Sequence, residues 1–302
     1  MEILEPLIEV LTKFTKPFPT PSGLLVEDPT TRHALISADV DLLNDVSSLL
    51  ESLALDSEDV QVFLAQTAAA FDPSHESGSS LIKYILDFVE FGGYPPYWSR
   101  ETPSERVKRE KAFDMCKAAI IKTVVEVTGA LRCIDILWDI GQESGWFVSR
   151  LIRWVRTNVT STRDDLVICA TLCLGNLARR GAYQIFMPNV QSYKLVSSES
   201  HCIALVQPPF SLVTELACLL DAQVDIRLKH GALGLLKHLS QSTTNRATLG
   251  NMGILDKLTK SEIWLATSDM AEIVQLSAIG TAKHLCTGDC AFSFNYIWHE
   301  LY

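Results

Sequence analysis

The stretch DDLVICATLCLGNLARR, residues 164–180, decides the fold, because its core recurs twice further along the chain. An alanine is followed seven residues later by a leucine in three apolar helical runs, at Ala170 and Leu177, Ala232 and Leu239, and Ala278 and Leu285. The three alanines are 62 and 46 residues apart (232 − 170 and 278 − 232). A helical motif that recurs at such intervals is typical of solenoid repeats, which stack into one continuous core. The sequence therefore predicts an all-α repeat protein.

A fourth, degenerate repeat is predicted over residues 33–72. The run DVQVFLAQTAAAF, residues 59–71, is similar to EIVQLSAIGTAKHL, residues 272–285, so that Gln61 aligns with Gln275 and Phe71 with Leu285. We therefore expect residues 1–302 to form a single array, with repeat helices ending near Phe71, Leu177, Leu239 and Leu285. The repeat also predicts a set of buried residues, namely Ala170, Leu174, Leu177, Leu235, Leu239, Ala278 and Leu285. Strand-like alternation occurs only briefly, in SYKLVSS at residues 192–198.

The net charge of −10 is concentrated at the beginning of the chain. Residues 1–60 hold 12 acidic side chains against three basic ones, a local charge of −9, which leaves about −1 for the rest. This distribution disfavours nucleic acid as a partner, because binding phosphates requires a basic face. It fits a basic polypeptide partner, although acidic residues that only keep the first helices soluble would give the same pattern.

The eight cysteines fit reduced thiols in the core of a cytosolic protein. Two pairs, Cys169 with Cys173 and Cys286 with Cys290, have the i, i+4 spacing that metal ligands use on a helix, and His284 lies beside the second pair. No second half-site with metal-ligand spacing accompanies them, so core packing is the preferred interpretation.

Sequence patterns that carry catalytic chemistry are missing. Phosphate-binding glycine loops, the GxSxG elbow and the HExxH zinc motif are all absent from the sequence. The chain is therefore predicted to lack enzymatic activity, cofactor and metal. The N-terminal run MEILEPLIEVLTKF has no signal-peptide pattern, and no apolar run reaches the ~18 residues of a transmembrane helix, so no membrane insertion is expected.

Residues 105–290 resemble one armadillo-repeat family, the small-GTPase GDP-dissociation stimulators of the smg-GDS type, and its fungal members most of all. The resemblance rests on DDLVICATLCLGNLARR, on CIALVQPPFSLV at 202–213 and on IRLKHGALGLLKHLSQSTTNRATLG at 226–250. It implies an armadillo-type right-handed α-α superhelix. It also implies a cytoplasmic monomer with access to the nucleus. The implied partners are Ras- and Rho-type GTPases with a basic prenylated tail, whose GDP release the protein would promote.

The resemblance also suggests which residues face the partner. Asn176 matches the asparagine that lines the concave groove of armadillo proteins, and His238 and His284 occupy its place in the next two repeats. With Arg180, these residues form the predicted partner-binding set. Imidazole donates one hydrogen bond, and near neutral pH we expect these histidines to be partly charged.

Two segments depart from the family pattern. The 62-residue interval exceeds the 46-residue one by 16, so residues 181–197 are predicted to be an insertion, either a functional loop or a retained intron. Residues 288–302 form an atypical tail without the polar character of a capping repeat, which predicts a truncated product.

Two other functions compete with GTPase regulation. A general armadillo scaffold or cargo adaptor shares every repeat feature described above. A helical enzyme would have to use the cysteine and histidine pairs with a metal.

Overall fold

The computed structural model describes residues 4–15, 29–66, 81–139, 146–159, 162–179, 193–268 and 270–287. Within these ranges it contains fourteen α-helices, two 3₁₀ helices and no strand. A single isolated bridge joins Thr15 and Gly92. The all-α prediction is thus confirmed for the described part of the chain.

The chain divides into two compact units, Met1–Asp139 and Ile140–Tyr302. The first unit contains helices α1 to α6 and one 3₁₀ helix, Pro96–Arg100. The α-helices are α1 (Leu4–Phe14), α2 (Pro29–Asp56), α3 (Glu58–Gln66), α4 (Leu81–Phe91), α5 (Pro103–Gly129) and α6 (Leu131–Asp139). Helix α5 packs along α2 and also contacts α3, α4 and α6. Its buried Phe113 lies at the centre of an aromatic cluster with Phe14, Phe88, Tyr94 and Trp98.

The second unit contains helices α7 to α14 and the 3₁₀ helix Glu262–Leu265. The α-helices are α7 (Trp146–Asn158), α8 (Asp164–Ala178), α9 (Tyr193–Val206), α10 (Val213–Cys218), α11 (Ile226–Leu239), α12 (Thr243–Asn251), α13 (Ile254–Lys260) and α14 (Ala271–Leu285). Helices α8, α11 and α14 carry the three copies of the repeat motif. They pack side by side, with α11 between α8 and α14, while α7 lies against α8 and α12 against α14.

The seven residues that the repeat predicted to be buried are all in the core. Ala170, Leu174, Leu177, Leu235, Leu239 and Ala278 are fully buried, and Leu285 is 4% exposed. The helices that carry them end at Ala178, Leu239 and Leu285. Phe71, the predicted end of the fourth repeat helix, lies outside the described residues, and α3 is described as far as Gln66.

Three of the repeat helices, α3, α11 and α14, share a side-chain hydrogen bond to the segment that precedes them. In α14 the Gln275 Nε2 atom donates to the Ile263 carbonyl at 2.9 Å. The equivalent residue of α11, Lys229, is buried and its Nζ donates to the Ala222 carbonyl at 3.2 Å. In α3 the Gln61 side chain donates to the Ala54 carbonyl. The alignment of Gln61 with Gln275 therefore corresponds to the same interaction in both units.

Helices α8 and α11 approach closely where α11 has a glycine. A Cβ atom at Gly231 would lie 3.1 Å from the Cβ of Thr171, which is tighter than an ordinary contact. Larger residues at this position would push the helices apart. Gly231 therefore sets the spacing between the two helices at this point.

The predicted insertion falls partly outside the described residues. Residues 180–192 are not described, whereas residues 193–197 form the first turn of α9. Helix α9 packs against α8, α11 and α12, and its Cys202 carbonyl accepts a hydrogen bond from Asn245 at 3.0 Å. The strand-like SYKLVSS segment is thus mostly helical, and its helix is tied to the core. The tail, residues 288–302, also lies outside the described part of the chain.

Two deletions test the insertion prediction. Removing residues 181–192 is expected to leave the melting temperature unchanged or to raise it, because the repeat interval shortens without loss of α9. Removing residues 181–197 also removes the first turn of α9, so it should lower the melting temperature relative to the shorter deletion. Thermal unfolding followed by circular dichroism measures both. A large loss of stability in the shorter deletion would show that residues 181–192 belong to the core.

Candidate functional site

The predicted partner-binding residues occupy equivalent places in the three packed repeat helices. Asn176, His238 and His284 each lie one residue before the repeat leucine, near the C-terminal ends of α8, α11 and α14. All three are half-buried. Because α11 lies between α8 and α14, the three side chains form a row across neighbouring helices. Arg180, the fourth predicted residue, lies outside the described residues.

His238 is neutral at pH 7. Burial first, and then the positive charges of Arg179 and Lys237, lower its pKa from the ordinary 6.5 to about 4. Its ring forms a hydrogen bond with the Gln241 side chain, while its Nδ1 atom is buried without a hydrogen-bond partner among the described residues. The expectation of partly charged histidines near neutral pH is therefore wrong at this position, because neighbouring helices remove water from the ring.

His284 has the same tendency to a smaller extent. Burial lowers its pKa, followed by the positive charges of Arg246, Lys283 and Lys237. The row thus contains one amide and two imidazoles, which interact with other groups through hydrogen bonds rather than through charge. A neutral imidazole has one donor and one acceptor nitrogen, and an amide has both. Such groups suit recognition of polar backbone or side-chain groups of a partner.

The charged groups that act on this row are cationic. Arg179, Lys237, Arg246 and Lys283 all lower the pKa of His238 or His284. Lys237 and Lys283 occupy equivalent positions in α11 and α14, and neither forms an ion pair with an acidic residue in the described part of the chain. This pair was not among the residues predicted from the sequence, although the repeated KHL triplet at 237–239 and 283–285 marks it.

Two of these cations also have structural roles. The guanidinium of Arg246 donates to the carbonyls of Ser240 at 3.1 Å, Gln241 at 3.2 Å and Thr287 at 2.9 Å, so it joins the C-terminal ends of α11 and α14. The methylene chain of Lys237 lies over Gly280 of α14, where a Cβ atom would come within 3.1 Å of Lys237 Cε. Both contacts hold α11 and α14 in place beneath the row.

Two described cysteines of these pairs, Cys169 and Cys286, have raised pKa values. Cys169 and Cys173 are both buried, and their mutual hydrogen bond together with burial raises the pKa of Cys169. A thiol with a raised pKa is a poor nucleophile and a poor metal ligand. Cys290 lies outside the described residues, and within the described ranges no group of three or more metal-ligating side chains occurs.

Comparison with known proteins returns no match to a protein-family model, a curated protein or a solved structure. In the described part of the chain, none of the helices has the length and apolar character needed to cross a membrane.

Proposed function

We propose that this chain is an armadillo-type solenoid that binds a protein partner along the face of α8, α11 and α14, without covalent chemistry. The observation that carries the proposal is the row of Asn176, His238 and His284 at equivalent positions of three packed helices. Repetition of one polar position along a stack is typical of a binding groove, whereas a catalytic group occurs once. The side-by-side packing of α8, α11 and α14 supports the solenoid.

We further propose that the partner is a small GTPase of the Ras or Rho type, and that binding promotes release of GDP in the cytoplasm. This step rests on the resemblance of residues 105–290 to the smg-GDS family. A GTPase tail that is both basic and prenylated requires a surface that is both acidic and apolar. Helix α2 offers one: Leu42, Leu49 and Leu53 are exposed on one side of the helix, beside the exposed Asp45 and Asp56.

A general scaffold for an acidic partner is the second candidate. The cations Lys237 and Lys283 beside the row favour it, since an acidic segment would neutralise them. The two candidates are separated by opposite charge reversals. Asp45→Lys with Asp56→Lys should weaken a GTPase with a basic tail, whereas Lys237→Glu should weaken an acidic partner. Both effects should shrink as ionic strength rises.

The double variant Asn176→Ala with His238→Ala is expected to weaken GTPase binding by about tenfold or more. Each side chain contributes one hydrogen bond worth about 0.5–1.5 kcal/mol, and about 1.4 kcal/mol is a factor of ten. Release of a fluorescent GDP analogue from Rho-type proteins, titrated with the chain, measures both binding and exchange.

The control for this pair is Asn251→Ala, which removes an exposed amide from α12, away from the row. It should bind as the parent does, and all three chains should keep the same helical circular-dichroism signal. If no small GTPase binds the parent at any salt concentration, the GTPase proposal is wrong. If the double variant binds as well as the parent, the row is not the binding face.

A further inference from the structure

One side of α14 is exposed, although the same side is buried in the equivalent helices α8 and α11. Thr171 of α8 packs against Gly231 of α11, and the residues equivalent to Thr171 are Leu233 in α11 and Ile279 in α14. Thr171 and Leu233 are fully buried, but Ile279 is 53% exposed. The side of the helix that α8 and α11 turn towards the next repeat is therefore exposed in α14, and no described residue covers it.

The exposed side of α14 has the spacing of a helix-pairing seam. Four residues on this side lie four, three and four positions apart: Glu272, Leu276, Ile279 and Lys283. This is the a/d spacing of helices that pack in a left-handed pair. All four are exposed, Leu276 by 57%, and Ile273 beside them is 52% exposed. Large apolar residues at successive seam positions are unusual on a solvent-facing helix and indicate a packing surface.

The seam is complementary to itself when two copies run antiparallel. A twofold axis between residues 277 and 278 places Leu276 opposite Ile279 of the other copy, because the two residues are equally far from the axis along the helix. The same axis places Glu272 opposite Lys283 of the other copy for the same reason. One rotation thus pairs apolar with apolar and acid with base. Neither Glu272 nor Lys283 forms an ion pair with another residue in the described part of the chain.

We propose that a second copy of this chain packs against α14 as an antiparallel, twofold-symmetric helix pair. Such an interface is isologous, because the same surface serves both partners. The resemblance to the smg-GDS family predicted a monomer. The exposed residues of α14 favour a dimer instead. The dimer proposal rests on the seam and not on the row of Asn176, His238 and His284, although Lys283 belongs to the seam and also lies beside the row.

The expected dimer is weak. Helix α14 has 15 residues, which is about 22 Å of helix, and one such pair buries less than the roughly 1,200–2,000 Å² of a standard interface. We therefore expect a dissociation constant in the micromolar range, and association that is visible by sedimentation at tens of micromolar.

Charge reversal at the two ends of the seam tests both the pairing and its direction. Glu272→Lys alone puts lysine opposite lysine twice, and Lys283→Glu alone puts glutamate opposite glutamate twice. Each single variant should raise the dimer dissociation constant by about tenfold, since two surface pairs change from attraction to repulsion. The double variant should return to within about threefold of the parent. An equimolar mixture of the two single variants should form a heterodimer, which native mass spectrometry detects.

The apolar centre is tested separately with Ile279→Glu, which should be monomeric throughout the accessible concentration range. Val107→Glu is the matched control, because Val107 is similarly exposed, at 58%, on α5, and it should leave association unchanged. A monomeric parent overturns the proposal, as does a dimer that Ile279→Glu leaves intact. Dimerisation only after removal of residues 288–302 would also overturn it, because the chain's own tail would then occupy the seam.

Discussion

Replacement of Leu239 by alanine is expected to lower the free energy of unfolding by about 2–5 kcal/mol. Leu239 is fully buried at the end of α11, the helix that lies between α8 and α14. Truncation there removes apolar contact area and leaves a cavity that packed helices fill only in part. Urea denaturation followed by circular dichroism measures the change in the free energy of unfolding.

The equivalent leucines and one exposed leucine provide the comparison. Leu177→Ala and Leu285→Ala should have costs of the same order, because both residues are buried at the same position of their repeats. Leu265→Ala should change stability by less than about 0.5 kcal/mol, since Leu265 is 81% exposed. A loss below about 1 kcal/mol for Leu239→Ala would contradict the assignment of this residue to the repeat core.

The helices and their buried faces could be predicted because the spacing of apolar residues reflects helix geometry directly. Ala170 and Leu177 lie two turns apart and fall on one side of α8. The short strand-like alternation at SYKLVSS did not alter the all-α prediction, and residues 193–198 of this segment are helical. The residues that follow decide that segment: Cys202, Leu205 and Val206 are buried at helical spacing in α9, and the preceding turn adopts the same helix.

Contacts between helices could not be predicted from the sequence. The sequence shows that position 231 is a glycine, but it does not show why a larger residue would not fit there. The cause is the side chain of Thr171, some 60 residues earlier, which packs against Gly231 only because α8 and α11 lie side by side. The exposed seam of α14 is a similar case. Apolar residues at 276 and 279 look like core residues until the neighbouring helices show that nothing in the described chain covers them.

The candidate row was predicted in its positions but not in its chemistry. The alignment of Asn176 with His238 and His284 follows from the repeat alone. The ionisation of the histidines depends on burial and on cations from other helices, including Arg246 of α12, which no local pattern indicates. The sequence therefore identified where the groups are, and the packing determined that they are neutral.

The neutral state of His238 predicts a specific acid sensitivity. The pKa of His238 falls from an ordinary value of 6.5 to about 4. Burial is the largest cause, followed by the positive charges of Arg179, at the end of α8, and Lys237 of α11. His284 of α14 adds a small contribution, and the hydrogen bond to Gln241 opposes the shift. Above pH 6.5 the ring is neutral in both the folded and the unfolded chain, so it adds no pH dependence. Between pH 6.5 and 4 the unfolded chain binds a proton that the folded chain does not.

Stability must therefore fall as the pH drops through this window, since acid favours the state that binds more protons. The gap between pKa values of 6.5 and about 4 corresponds to about 3 kcal/mol. Unfolding free energies measured by urea denaturation at intervals from pH 7 to pH 4 should show this loss in the parent.

The variant His238→Asn isolates the contribution of His238. Asparagine occupies the equivalent position in α8, at Asn176, so the substitution introduces a side chain that this repeat position accepts. The variant should lose about 3 kcal/mol less than the parent between pH 7 and pH 4. Carboxylates and the remaining histidines titrate in both chains, so their effects cancel in the difference. Equal losses in the two chains would show that His238 takes up a proton in the folded state, as a solvent-exposed histidine on the rim of the row would.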